Sequence, residues 1–454
     1  MTRNVFSASI YLVLVVVAII SRIWPFPYGR EIGIGLTVVF LALEFAKAPA
    51  LQRNVGALLF CLGFAGAWAG GDLVGGMMNG LERSQIFLVM FFAVMWLREP
   101  AVTSPSLRTL RDAVVSQPAG RRYPILWLSG HFLGSVLNLA AMSLLSSMVG
   151  EQTDARLKKR LSICLMHGFT TASTWGPFYV SISVILTAIP GLRWIEIAPL
   201  GLCLSVFLLL VGWSYDRIFL REKPVVGQTR SGTPLTPVTI GRAALVLVQL
   251  IFLVMGAHEI IGLSIPIALG VIGPPFAIAW AAVQVERGRR WSLGARPLIQ
   301  RIFINIPELR NEAIAFVAAS VFGVGVSKVL PPEKISVWLQ TFGIHEDVIV
   351  VGIVFGTSLL GMAGLHPVII AILVGEVLPP EVIGIAPEVL AIALLGVWGT
   401  STMVSPFSAT TLFMARVVGL PSHVIAWRWG PPVIALSSCV VATYVVIIRH
   451  LLYS

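Results

Sequence analysis

Ser173-Thr174-Trp175-Gly176-Pro177-Phe178 and Ser401-Thr402-Met403-Val404-Ser405-Pro406-Phe407 carry one phrase twice: Ser-Thr, a gap of two or three residues, then Pro-Phe. Each copy lies inside an apolar helix-length run. Each also follows a long run broken near its middle by Gly, Ser, Asn or Pro. Every backbone polar group at membrane depth needs a partner, so a broken helix there is buried in protein or lines a cavity. Paired interruptions in the two halves of a chain are the sequence pointer to a binding site between them.

The composition around these phrases sets the class. Of 454 residues, 57% are hydrophobic and 12% charged, with mean hydropathy +0.89. Soluble domains carry about 25% charged residues, and disorder needs low hydrophobicity with high charge; both are excluded. A spanning helix uses about 20 apolar residues, so the chain reads as an all-α polytopic membrane protein. The net charge of +11 does not point to nucleic acid. Its Lys and Arg occupy short loops between apolar runs, without an Arg stripe interleaved by aromatics. Cys61, Cys164, Cys203 and Cys439 lie in apolar runs with no C-x-x-C pair and read as small buried hydrophobes. The run after Arg3 lacks a cleavage site and reads as a retained first helix. His258-Glu259 and His345-Glu346 lack the second His of H-E-x-x-H, and no G-x-S-x-G occurs, which disfavours an intramembrane enzyme.

Eleven apolar runs (8–24, 31–49, 55–71, 84–97, 161–189, 195–215, 239–258, 262–284, 311–330, 389–415 and 429–448) read as spans. Two more, 123–150 and 347–376, are interrupted: one by Gly134-Ser135 and Asn138, the other by Gly356-Thr357, Gly361, Gly364 and His366-Pro367. Arg108, Arg111, Arg121 and Arg122 precede the first, and Arg156, Lys158, Lys159 and Arg160 follow it. A re-entrant hairpin keeps both basic clusters cytoplasmic. The second has acidic flanks at Glu346, Asp347, Glu376 and Glu381, so its hairpin is expected from the opposite face. Arg217, Arg221 and Lys223, then Arg287, Arg289, Arg290, Arg296 and Arg301, fall inside on this scheme. The N-terminus is cytoplasmic and the C-terminus outside, with Arg22, Arg30, Arg83 and Arg193 as exceptions. The expected organisation is N-terminal helices over 1–54, a first inverted repeat over 55–223 with hairpin 123–150, connecting helices over 224–301, and a second repeat over 302–454 with hairpin 347–376.

The candidate ligand groups are Ser135, Asn138, Ser173, Thr174, Gly364, His366, Ser401, Thr402, Ser405 and Ser408, with Thr410 alongside. Freed N–H groups at a half-helix start bind anions and freed carbonyls bind cations; hydroxyls and an amide complete such a shell. The competing structural role is a hydroxyl bonded to a carbonyl one turn back. Asn138 is the only amide in either hairpin. His366 is the only ionisable group close to the second break. It reads as a turn-forming ring before proline or as a group that couples protons or counters an anion. His131 and His167 lie nearer helix ends, and Glu44 beside Lys47 reads as interfacial. No carboxylate adjoins either tip, which counts against a proton or cation antiporter.

Leu137-Asn138-Leu139-Ala140-Ala141, Gly364-Leu365-His366-Pro367, Trp175-Gly176-Pro177-Phe178 and Ser405-Pro406-Phe407-Ser408 together resemble the divalent anion/sodium symporters, elevator-type secondary carriers of the ion transporter superfamily. The first two stand where that family carries Ser-Asn-Thr at its hairpin tips, and the last two stand at its unwound helices. The resemblance covers most of the chain after about residue 50. It implies eleven spans plus two hairpins, a small-molecule anion as substrate, and Na+ or H+ as coupling ion, with Na+ near Asn138 and Thr174. It further implies a homodimer in the bacterial plasma membrane, surrounded by lipid, with no other cofactor. An efflux carrier or a cation/proton antiporter on the same fold is the alternative.

Overall fold

The computed structural model describes residues 2–117, 121–220 and 236–453. Arg221 and Lys223 lie outside the described residues, as do the side chains of Arg3, Arg122 and Arg287. The described residues form helices and no strands. Eight of these helices are long and apolar enough to cross a bilayer, or ten if two pairs bent by 117° and 108° each count as one span. Two of the expected spans are broken ones. Neither Ala155–Thr171 with Val180–Ala188 nor Pro387–Thr402 with Ala409–Val418 contains an uninterrupted helix of spanning length. The chain is an all-α polytopic membrane protein.

It divides into two compact units that interleave along the sequence. The first comprises 1–104, 248–335 and 372–378. In it, Ala50–Ala69 and Arg310–Val329 run parallel with their backbones in contact. Gly56 meets Ile314, Gly63 meets Val321, and Gly70 meets Lys328. Small residues permit this approach where no hydrophobic driving force exists between helices. Lys328 closes the end of the pair on Asp72 at 2.7 Å, and that hydrogen bond holds the Asp72 carboxyl below its ordinary range. Glu44 stands at the end of its helix beside Lys47. It is fully buried, with Lys47 at 2.5 Å and Arg310 at 3.3 Å, because a carboxylate between two cations can leave water.

The second unit comprises 105–247, 336–371 and 379–454. Arg122–Leu137 and Ala155–Thr171 run parallel in it: Cys164 bonds to Tyr123, Trp127 to His167, and His131 to Thr171. Two parallel helices joined by 138–154 require that segment to return, so Arg121 and the cluster Arg156, Lys158, Lys159 and Arg160 share one end. Glu346–Met362 and Pro387–Thr402 repeat the arrangement, with Glu346 beside Gly384 and Gly361 against Ser401. The reversals fall at two of the interrupting residues read from the sequence, Asn138 and Gly364. The helices continue through Gly134-Ser135 and through Gly356-Thr357, and turn at Asn138 (φ 53°) and Gly364 (φ 100°). A membrane-depth glycine is tolerated in a helix that packs on it, whereas a positive φ ends one. The base of the first reversal, at Gly150, lies by Val417 at the end of Ala409–Val418. The base of the second lies by the start of Pro387–Thr402, so the two enter from opposite ends of the unit.

The four arginines that break the charge rule each have an acidic partner. Arg22 and Arg30 pair with Glu82, Arg83 with Glu376, and Arg193 with Glu196. The cysteine expectation is corrected: Cys164 alone is buried, while Cys61, Cys203 and Cys439 sit on exposed helix faces, and all four are free.

Candidate functional site

The two Ser-Thr…Pro-Phe phrases meet in the second unit. Ala155–Thr171 tightens into a 3-10 turn at Ala172–Thr174 and resumes as Val180–Ala188. Pro387–Thr402 stops, and Ala409–Val418 resumes under a Ser408 cap that accepts from the Thr411 N–H at 3.1 Å. Both breaks sit before a proline, which has no N–H to give and disfavours helical geometry in the residue before it. The broken helices cross where they unwind. A Cβ on Gly399 would strike the Thr170 carbonyl and the Ser173 hydroxyl, and Ser173 donates to the Leu395 carbonyl at 3.1 Å. Val180–Ala188 packs on Pro387–Thr402, and Ala409–Val418 packs on Ala155–Thr171, so the two broken helices run antiparallel.

Each hairpin tip rests on the Pro-Phe of its own broken helix. Asn138 donates its side-chain amide to the Phe178 carbonyl at 3.2 Å, and Ser135 packs on Gly176. Gly364 lies so close to the Phe407 ring that a Cβ would come within 2.6 Å of it. His366 accepts from the Val368 N–H through Nδ1 at 3.2 Å, and its ring meets Trp398 edge-on at 5.9 Å. The ten nominated residues therefore form two sets, one at each break, joined where Ser173 meets Gly399 and the Leu395 carbonyl.

Their hydrogens are largely committed. Ser135 donates to Phe132, Thr174 to Thr171, Ser401 to Trp398, Thr402 to Gly399 and Ser408 to Thr402, all main-chain carbonyls between 2.6 and 2.9 Å. Carbonyls freed by the breaks are served in the same way. Ser181 donates to Ser173, Trp194 to Trp175, and Thr411 to Ser405. This is how irregular backbone survives at membrane depth. The hydroxyl oxygens keep acceptor capacity, and at the two helix starts the Ile182 N–H bonds to the Tyr179 carbonyl and the Thr411 N–H to the Ser408 hydroxyl.

In one part of the site the sequence offered only His131 and His167, as weaker candidates near helix ends. Trp127, His131, His167 and Trp175 form a buried chain of rings beside the first break. The usable signal was spacing: Trp127 and His131, like His167 and Thr171, stand four residues apart and so share a helix face.

No protein-family model and no curated protein sequence matches the chain. Among solved structures, the Alcanivorax borkumensis YdaH transporter, described as having an unusual topology, aligns at TM-score 0.55 and 14% identity. That alignment covers 79% of this chain and 85% of that one. Neisseria gonorrhoeae MtrF, described within a class of antimetabolite efflux pumps, aligns over 98% of this chain and 95% of its own at 13% identity, with a TM-score of 0.41. The polytopic fold is thus one that a transporter also adopts.

Proposed function

We propose that the chain is a secondary active transporter of a small anion, working by elevator-type alternating access in the plasma membrane. The observation that carries this reading is the crossing of two antiparallel broken helices, each with a hairpin tip on its own Pro-Phe turn. Such an inverted arrangement cradles a ligand near the midplane. Helix-start N–H groups would hold the anion, and Asn138 and Thr174 would lie near a coupling Na+. The division into two compact units suits a mechanism in which the unit bearing the site moves as a body. The YdaH-like fold supports transport, and the divalent anion/sodium symporter resemblance supports the substrate class and a homodimer.

A specific observation favours the second reading, an efflux carrier or cation/proton antiporter. The hydroxyl hydrogens at both breaks point to main-chain carbonyls, which leaves the oxygens as acceptors suited to a cation. Uptake of a labelled anion panel into proteoliposomes, with and without a sodium gradient, decides between them. Sodium-stimulated anion uptake is expected. Transport that excludes every anion would favour the cation reading, and no transport of any solute would overturn both.

A further inference from the structure

Two buried histidines sit between two indoles beside the first break. Trp127 and His131, one turn apart on Arg122–Leu137, stack with ring centroids 5.1 Å apart and planes within 9°. Trp175, in the unwound segment, donates its Nε1–H to His131 Nε2 at 2.8 Å, and Trp127 donates to His167 Nδ1 at 3.0 Å. An indole N–H only donates, so both of these ring nitrogens are acceptors and each ring carries its proton on the other one. Those protons have acceptors as well: His131 Nδ1 meets Thr171 Oγ1 at 3.1 Å, and His167 Nε2 meets Ser437 Oγ at 3.3 Å. The two hydroxyls pass their own hydrogens to the Gly168 and Val433 carbonyls at 3.0 and 2.8 Å. Every donor in the chain has one acceptor.

We infer that His131 is a positioning residue for the first break. It accepts from Trp175 and donates to Thr171, and so ties the unwound segment 172–179 to the hairpin limb. Trp175 is gripped from a second side, because its carbonyl accepts the Trp194 indole N–H at 2.8 Å. His131 is 2% exposed, so the acceptor that it offers Trp175 lies inside the unit. An apolar residue there would strand the Trp175 N–H and free the segment to move. The inference rests on the transport reading only in giving the break a ligand to receive; the tie exists without one.

Hydrogen exchange measured by mass spectrometry on the purified full chain in detergent, with no substrate added, tests it. In His131→Leu, amides of 172–179 are expected to exchange about three- to tenfold faster, the loss of one buried hydrogen bond. The reporters include Gly176 and Tyr179, whose N–H groups bond to Ala172 and Gly176. His131→Gln can accept from the indole and donate to Thr171, so it should exchange like wild type. Trp175→Phe removes the donor and should match His131→Leu, and it stands in for that variant if it does not fold. Unchanged exchange over 172–179 in these two variants, an equal rise in every helix, or a Gln variant that behaves like Leu would overturn the assignment. Because no substrate is present, failure here leaves the transport reading intact, and failed uptake leaves the tie intact.

Discussion

Asn138 adopts φ 53° and ψ −137°, a region that residues with a Cβ rarely occupy. It is held there by its N–H on the Gly134 carbonyl at 3.1 Å and by its amide on Phe178. Strain of this kind persists only where the surroundings over-determine it, and it clusters at functional sites. Asn138→Ala, Thr174→Ala and Ser405→Ala are each expected to weaken sodium-coupled substrate binding about ten- to 150-fold, the range for losing one polar contact to a charged group. Equilibrium binding to protein with an unaltered gel-filtration profile checks this. Unchanged affinity in all three would return these groups to packing. His366 faces a sharper choice, because its Nδ1 already caps Pro367–Val377 through Val368. Asparagine also caps a helix start, so His366→Asn keeps the cap and removes the titration. If the protonated ring offsets a bound anion, wild-type affinity falls as pH rises over the window tested, and the variant's profile is flat. Identical profiles, with a substrate that does not itself ionise in that window, would leave His366 as a cap alone.

At the scale of elements, two contacts fix how the broken helices and their neighbours meet. Arg160, at the start of Ala155–Thr171, makes a two-pronged pair with Asp216 at 2.6 and 2.7 Å. Asp216 is 2% exposed and Arg160 19%. Removing one partner of such a pair leaves a largely desolvated charge, so Asp216→Asn should cost about 2–4 kcal/mol. Arg160→Met with Asp216→Leu should recover most of that loss, since an apolar replacement strands no charge. Thermal unfolding in detergent measures both, and a single variant as stable as wild type would show that the pair contributes nothing. Gly399 works by absence, since its lack of a side chain lets the Thr170 carbonyl approach. Gly399→Ala should push the crossing apart and destabilise the folded chain in the same assay.

For the whole molecule, the parallel packing of Arg122–Leu137 with Ala155–Thr171 makes a definite statement about topology. Both flanks of 123–150 lie at one end of their unit, and the orientation proposed from their charge puts that end in the cytoplasm. A thiol at Gln117 would test this poorly, because Gln117 is only 8% exposed and would resist reagent from either side. Arg121 and Thr153 are exposed. Single cysteines at those two positions, in a background with Cys61, Cys203 and Cys439 replaced, should both resist a membrane-impermeant thiol reagent from outside. Both should label once the membrane is opened. Labelling of just one in intact cells would mean a full crossing and would sink the proposed inversion. The arginines expected outside do not weaken this scheme, since Arg22, Arg30, Arg83 and Arg193 each carry an acidic partner that limits the charge presented at that face.

The apolar runs, the loop charge and the doubled Ser-Thr…Pro-Phe were legible in the sequence because they depend on local chemistry. Twenty apolar residues in a row are long enough to span, and a proline beside Gly and Ser-Thr favours a break, although Pro274 and Pro275 lie within the unbroken Ile265–Val283. Where each hairpin reverses was legible in part, since Asn138 and Gly364 stood at the expected tips among other interrupting residues. Gly134, Gly356 and Gly361 look like breaks, yet only Asn138 and Gly364 reverse the chain, and that choice depends on which neighbour each residue packs against. The bonding of the nominated hydroxyls was hidden: Thr174 and Ser401 bond one turn back, whereas Ser173 reaches Leu395 on the other broken helix. Glu44 shows the same division. Its sequence neighbour Lys47 was visible, but Arg310, 266 residues away, completes its burial. Local composition determined that the chain crosses a membrane and is interrupted twice. Only the tertiary structure decided that the interruptions cross each other, and that His131 and Trp175 meet there, because partners distant in sequence supply the hydrogen bonds that a broken helix gives up.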